Sequence, residues 1–219
     1  MRQQKSPRRQ NRFFSMTVTR IEPVLKTKYK IFIDGQFAFA VYKGELSRYH
    51  IREGEELAAE TFEKIRNEVI LKRAKLRAMH LLEDMDRTES ALREKLKLGL
   101  YPEDIIEEAV RYVKSFGYID DARYALHFVE SRKDTRSRKE IYAQLMRKGV
   151  SQEEIEQAFE AGFSRDAEQG AIRRLIIKKH LNPAQATPEE LQKLYGFLSR
   201  KGFRYDDIRQ VIQNYDENA

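Results

Sequence analysis

The chain has 219 residues, of which 41% are hydrophobic and 35% are charged, and it contains no cysteine. The missing cysteines exclude disulfides, thiol nucleophiles and cysteine-ligated zinc or iron–sulfur sites, and they favour a reducing, cytoplasmic compartment. No apolar run approaches the ~18–20 residues that cross a bilayer, and only ten glycines and five prolines argue against a turn-rich all-β fold. The formal net charge of +7 favours acidic partners.

Residues 1–15 form a basic segment. The first twelve residues contain five cations and no acid, so +5 of the net charge lies there and the rest of the chain is nearly balanced. The segment lacks the apolar run of a secretory signal. Two interpretations stay open for it: a disordered, solvated tail, or an arm that contacts nucleic acid.

Residues 16–55 are predicted to form a small β-rich element. Asp34-Gly35 separates two runs rich in aromatic and β-branched residues, and this pair is typical of a type I′ hairpin turn. Alternating residues over 17–21 predict a third strand. Three strands with one apolar face need a partner. We expect that partner to be a linking helix over residues 56–71, where the hydrophobic period changes to threes and fours.

From residue 72 onward the sequence repeats itself three times, over residues 72–117, 118–165 and 166–219. Each copy has two leucines or isoleucines four apart, then a glycine, two acids, and an isoleucine six positions after the glycine. The glycines are Gly99, Gly149 and Gly202, and the first copy lacks one residue before its glycine. The pattern predicts a helix that ends with glycine in the left-handed conformation, followed by a second helix.

A third helix is predicted to precede each of these helix pairs. Three serine or threonine residues are followed three positions later by glutamate, which is the spacing of a capping box. They are Ser137…Glu140, Ser151…Glu154 and Thr187…Glu190. We therefore predict a mainly α protein, in which three tandem three-helix repeats form an elongated curved rod behind the β-rich element.

No local motif indicates catalysis or cofactor binding. The glycines form neither a P-loop nor a dinucleotide-binding fingerprint, and no nucleophile elbow supports a Ser/His/Asp triad. The four histidines lie in separate segments, without the i, i+4 spacing of paired metal ligands. Adjacent acids such as Asp120-Asp121 are explained as helix caps. The sequence predicts a protein that is not an enzyme and has no cofactor and no metal.

Positive charge is clustered on the predicted helices of the second and third repeats. The densest run lies where two helices of the second repeat meet. The candidate binding surface comprises Arg132, Lys133, Arg136, Arg138, Lys139, Arg147, Lys148, Arg173, Arg174, Lys178, Lys179, Arg200 and Lys201. Each run alone is consistent with a solvated helix face, but recurrence across repeats favours a polyanion or an acidic protein groove as the partner.

The segment Gly-Tyr-Ile-Asp-Asp-Ala-Arg-Tyr-Ala at 117–125 has the features of a structural corner. Gly117 ends one helix, Tyr118 and Ile119 are expected to pack, and Asp120 is expected to cap the next helix, followed by Asp121. With the three helix–glycine–helix units, which end in Lys-Gly at 148–149 and 201–202, this segment resembles the RecX family of bacterial regulatory proteins. The resemblance covers roughly residues 16–215, and Leu98-Gly99 departs from the Lys-Gly pattern.

The resemblance implies a non-enzymatic regulator of the RecA recombinase, acting in the SOS response, DNA repair and recombination. Such a protein binds the RecA filament on single-stranded DNA and inhibits ATP hydrolysis and strand exchange. The implied protein is a cytoplasmic monomer with at most weak direct DNA binding. Two alternatives stay open: a nucleic-acid-binding regulator with a helix-turn-helix pair, and a helical scaffold for another partner. The acids that open each second helix, such as Glu153 and Glu154, argue against the first alternative because they would face phosphates.

Overall fold

A computed structural model describes residues 15–215, so the predicted basic tail lies outside the described residues except for Ser15. The described chain is mainly helical with one small sheet, which confirms the predicted fold class. It divides into two compact units. The first runs to Leu81 and includes Arg93–Phe116, and the second comprises Leu82–Leu92 and the chain from Gly117 onward.

The sheet of the first unit is antiparallel, with strand order β3-β2-β1-β4. Its strands are Ser15–Leu25 (β1), Lys28–Ile33 (β2), Gln36–Tyr42 (β3) and Glu56–Ala58 (β4), and a short helix, Lys43–Arg48 (α1), follows β3. Asp34 and Gly35 both have positive φ, +49° and +84°, which confirms the hairpin turn. The fourth strand was not predicted, because three residues are too few to show an alternating pattern.

A long helical stretch follows β4. It consists of Ala59–Lys64 (α2), a π-helical segment Ile65–Leu71, and Lys72–Asp84 (α3), so helix begins at Ala59 and not at residue 56 as predicted. The ring of Phe39 on β3 lies 5.7 Å from the ring of Phe62 on α2. The apolar face of the sheet therefore packs on this stretch, as predicted.

The remaining helices alternate with short turns. They are Glu89–Leu98 (α4), Glu103–Ser115 (α5), Asp121–Glu130 (α6), Arg138–Arg147 (α7), Gln152–Gly162 (α8), Arg165–Lys178 (α9), Pro188–Arg200 (α10) and Tyr205–Gln213 (α11). Helices α6–α8 enclose one apolar cluster around Ile141, Leu145 and Ile155. Helices α9–α11 enclose another around Leu194, Leu198 and Ile208. The two repeats therefore have separate cores, whereas the segment boundaries given above stay a prediction.

The turn after the middle helix of each repeat has one residue in the left-handed conformation. Gly149 and Gly202 have φ of +79° and +90°, as predicted. In the first repeat, however, Leu100 takes this conformation, with φ of +65°, and Gly99 does not. Thr88 precedes Leu100 by as many residues as Ser137 precedes Gly149. The prediction that the first copy lacks one residue was therefore wrong. Leu100, and not Gly99, corresponds to Gly149, so the first copy has the same spacing as the second.

Candidate interaction surface at the repeat junctions

A buried hydroxyl joins each repeat to the next. Thr88 Oγ1 donates to the carbonyl oxygen of Lys148 at 2.6 Å, and Ser137 Oγ donates to the carbonyl oxygen of Lys201 at 2.7 Å. Both hydroxyls also accept a backbone N–H of their own helix, so each caps one helix and joins it to the turn of the following repeat. These hydroxyls are almost inaccessible to solvent, and each hydrogen bond stabilises the junction by about 1 kcal/mol.

The sheet supplies the corresponding bond to the first repeat. The Lys28 ammonium on β2 donates to the carbonyl oxygen of Gly99 at 2.7 Å. Gly99 precedes the left-handed Leu100 as Lys148 precedes Gly149. Burial, together with the nearby charge of Arg73, lowers the pKa of Lys28 below its ordinary value. The β-rich element thus takes the place that a preceding repeat has at the other two turns.

A carboxylate provides a second link at each junction. Asp121 accepts the backbone N–H of Glu89 at 2.9 Å, and Glu168 accepts the backbone N–H of Arg138 at 3.3 Å. Asp120 accepts the N–H of Arg123 and caps its own helix, as predicted. The two adjacent aspartates therefore have different roles, because Asp121 caps a helix of the preceding repeat. No sequence pattern within one helix could show this.

The corner around residues 117–120 matches the prediction in part. Gly117 has φ of +70°, as a helix-ending glycine should, and Ile119 is buried. Tyr118 is 51% exposed, so Ile119 is the residue of this pair that enters the core, and the packing expected of Tyr118 stays a prediction.

The carboxylate at the second junction is buried, since only 8% of the Glu168 surface is exposed. Burial raises the pKa of Glu168 above its ordinary value, and the charge of Asp207 adds to this effect. The N–H of Arg138 and the charges of Arg138 and Arg204 oppose it. The ionised carboxylate is therefore less stable in the folded protein than in the unfolded chain.

We expect Glu168→Gln to stabilise the protein increasingly as the pH rises above about 4.3, the ordinary pKa of glutamate. A raised folded-state pKa gives stability that is present at low pH and is lost as the pH rises through that pKa. Glutamine keeps an acceptor for the N–H of Arg138 and carries no charge. Melting curves of wild type and variant from pH 4 to 8 measure this, with exposed Glu160→Gln as the control. A difference that shrinks with rising pH would contradict it.

The five cations of the densest run, residues 132–139, differ in whether their side chains are already bonded. Arg136 pairs with Glu140 at 2.7 Å, and Arg138 pairs with Glu156 at 2.6 Å. Lys133 donates to the carbonyl oxygen of Gly162 at 3.2 Å, at the end of α8. Arg132 donates to Ser131 Oγ at 2.8 Å. Lys139 is exposed, and it is the one cation of these five that has no side-chain hydrogen bond or ion pair within residues 15–215.

Several predicted cations lie over aromatic rings. The Arg132 guanidinium is 3.7 Å from the centre of the Phe128 ring, and Lys148 Nζ is 5.7 Å from the same ring and from Tyr124. In the third repeat, Lys179 Nζ is 4.4 Å from the Phe197 ring. Such contacts hold a cation in place without neutralising it. Arg132 and Lys148 thus form one positive site beside Phe128.

The remaining predicted cations are spread over the second unit. Arg174 pairs with Asp134, whereas Arg173 is half-buried and its Nε has no hydrogen-bond partner. Lys201 is half-buried, and its carbonyl accepts the junction bond from Ser137. Arg147, Lys178 and Arg200 are exposed. The structure therefore does not show the predicted cations as one continuous patch.

Two predicted cations do meet in a groove between the second and third repeats. The groove has a volume of about 460 Å³ and is lined by Arg138, Lys139, Tyr142, Phe163, Arg165, Glu168, Gly202, Arg204 and Asp207. Arg165 pairs with Asp207 at 3.2 Å, while exposed Arg204 has no ion pair within the part of the chain that the structure describes. The predicted binding surface did not include Arg165 or Arg204, although Arg204 is clustered in the sequence with Arg200 and Lys201 around the repeat glycine.

Within residues 15–215, no group of three or more histidine, aspartate or glutamate side chains could hold a metal ion. No helix in the same range is long and apolar enough to cross a membrane.

Comparison with known proteins matches three family models to the helical part of the chain. They are described as the first, second and third three-helix domains of RecX, and they match residues 74–112, 120–158 and 166–212. Regulatory protein RecX of Caldanaerobacter subterraneus is 35% identical over 90% of this chain and 98% of its own length. The corresponding protein of Leuconostoc citreum is 30% identical over 88% of this chain and 74% of its own.

Solved structures agree with these matches. A crystal structure of regulatory protein RecX has a TM-score of 0.62 and 25% identity, and the match covers 91% of this chain and 99% of that one. The crystal structure of RecX from Lactobacillus salivarius has a TM-score of 0.60 over 67% of this chain and 96% of that one, with 24% identity. The second likeness concerns the fold alone.

Proposed function

The chain belongs to the RecX family of regulatory proteins, and from that premise we propose that it binds the RecA filament on single-stranded DNA. Bound there, it inhibits ATP hydrolysis and strand exchange by the filament. It acts as a cytoplasmic monomer without catalysis of its own. The observation that carries the proposal is the match of nearly the whole chain, with all three helical repeats, to proteins named as regulators.

The charge distribution of the second unit supports a docking role. Lys139, Lys178 and Arg200 are exposed, lie on three different helices, and have no ion pair among the described residues. Exposed charges of this kind contribute little to folding, because surface ion pairs are worth about 0–1 kcal/mol. They do accelerate association with an acidic surface, in a salt-dependent way. A filament of protein and DNA offers such a surface.

The alternative of direct recognition of duplex DNA has less support. The helix after each left-handed turn would have to present its first turn to the DNA. In the second and third repeats that turn carries acids, among them exposed Glu153 and Asp206. Carboxylates at this place repel phosphates and weaken binding to any duplex sequence.

The test is a titration of this protein into RecA filaments on single-stranded DNA, with ATP hydrolysis and strand exchange measured at several salt concentrations. We expect inhibition of both activities, and we expect it to weaken as the salt concentration rises. Binding to bare single-stranded DNA and to duplex DNA is measured in parallel. Tight, sequence-selective duplex binding without an effect on RecA would contradict the proposal and favour the alternative.

A further inference from the structure

The two junctions between repeats share their hydrogen bonds but differ in charge. Position by position, Arg138, Lys139 and Arg204 at the second junction correspond to Glu89, Ser90 and Ser151 at the first. The correspondence follows from the shared cap residues, Thr88 and Ser137, and from the left-handed glycines. Positive charge at these three positions is therefore not required for joining two repeats, since the first junction forms with glutamate and serine there.

The cations of the groove divide into those already neutralised and those available. Arg138 and Arg165 pair with Glu156 and Asp207. Lys139 and Arg204 are exposed and have no ion pair among the described residues. Glu168 and Asp207, which are 8% and 4% exposed, are the acids of the groove lining. The groove therefore presents the positive charges of Lys139 and Arg204 to solvent, whereas solvent hardly reaches its two carboxylates.

The groove also has an apolar wall. Tyr142 on α7 and Phe163 at the end of α8 line it while remaining half-buried against the core of the second repeat. Its volume of about 460 Å³ lies within the usual range of ligand pockets, ~300–1,000 Å³. An occupant can therefore bury an apolar side chain there while its charges reach the two free cations.

We propose that this groove binds a short acidic segment of a protein partner, with carboxylates on Lys139 and Arg204 and an apolar side chain against Tyr142 and Phe163. The proposal rests on the proposed function, and it specifies that the filament is contacted here through its protein. A nucleic-acid strand fits less well, because it carries a negative charge at every nucleotide and would bring phosphates over Glu168 and Asp207. A peptide can place its few carboxylates away from them.

The first test replaces the two free cations by the residues of the first junction, as Lys139→Ser with Arg204→Ser. The chain already has serine at the corresponding positions, so we expect a melting temperature within a few degrees of wild type. The small loss comes from the Arg204 charge, which favours the ionised Glu168 carboxylate. Co-sedimentation with RecA filaments on single-stranded DNA should show about ten-fold weaker binding, while binding to bare single-stranded DNA stays within two-fold. The matched control is Lys193→Ser with Arg209→Ser, two exposed cations outside the groove, with binding within two-fold of wild type.

The second test identifies the occupant. The photoreactive substitution Tyr142→p-benzoylphenylalanine is irradiated with the same filaments, and the cross-linked product is mapped by mass spectrometry. A cross-link to a RecA segment containing aspartate or glutamate supports the proposal. A cross-link to DNA, a cross-link to a segment without acids, or equal binding of the two double variants overturns it. Wild-type protein that fails to co-sediment at all would instead reject the proposed function, and the groove proposal with it.

Discussion

Gly149→Ala is expected to lower the free energy of unfolding by about 2–5 kcal/mol, which makes it the largest single-residue effect on stability that we expect. The left-handed φ of +79° at Gly149 costs a residue with a side chain roughly 1–2 kcal/mol. A Cβ there would also lie 2.3 Å from Ser90 Cβ and 2.5 Å from Ser90 Oγ. Relieving such an overlap costs about 1–3 kcal/mol more.

The overlap would occur at the junction between the first and second repeats. Ser90 follows Thr88, whose hydroxyl bonds to the carbonyl of Lys148 directly before Gly149. Moving α4 away to make room for a methyl group therefore also strains this hydrogen bond. Urea and thermal unfolding followed by circular dichroism measure the loss, with a melting temperature lower by about 2–4 °C for each kcal/mol.

Two controls separate the strain from the overlap. Gly117 has φ of +70°, but a Cβ there would meet nothing within 4 Å, so Gly117→Ala should show only the conformational cost of roughly 1–2 kcal/mol. Adding Ser90→Gly to Gly149→Ala removes both close atoms and should recover part of the loss. A Gly149→Ala protein with normal melting but lost RecA binding would show that Gly149 belongs to the binding surface and not to the junction.

Leu100 shows why the turns were only partly predictable. Glycine at the end of a helix indicates the left-handed position because glycine adopts it without strain, and this holds for Gly149 and Gly202. Gly99 also follows the end of a helix, and by this rule it would be left-handed. However, the helix register that buries Leu92 and Leu96 places Leu100, and not Gly99, at the left-handed position. Packing decided the register, and packing between helices is not visible in a local pattern.

The candidate surface shows the same limit more strongly. The sequence shows where the cations are clustered, but it does not show which of them are paired. Their partners lie far along the chain, such as Glu156 for Arg138 and Asp134 for Arg174. Repeat periodicity predicted the three helical repeats because each repeat depends on contacts within about fifty residues. The junction bonds of Thr88 and Asp121 join the first repeat to the second, and no spacing within a single repeat encodes them.

Charge reversal at three free cations is expected to have the largest effect on function. The densest run of cations, residues 132–139, is a poor target for charge reversal. Arg136, Arg138 and Lys133 in it each make a hydrogen bond that supports the fold. Reversing those would confuse lost folding with lost docking. The better choice combines three exposed residues on separate helices, namely Lys139→Glu, Lys178→Glu and Arg200→Glu.

This triple variant should keep its helical content and melt within a few degrees of wild type, since none of its three side chains has an ion pair among the described residues. It changes the net charge of the second unit by six units, and this unit is proposed to meet an acidic filament, so association slows and affinity falls. We expect inhibition of the RecA ATPase to be lost at moderate salt. It should not return when salt is reduced, because weaker screening strengthens the repulsion between the new glutamates and an acidic filament.

The matched control reverses three exposed cations of the first unit, Lys26→Glu, Lys43→Glu and Lys64→Glu, which gives the same change in net charge. If long-range attraction by the whole protein governs docking, both triple variants should lose inhibition equally. If the second unit supplies the contact, only the first variant should fail. Full inhibition by a well-folded triple variant of the second unit would show that these cations are a solvated face and that the filament is bound elsewhere.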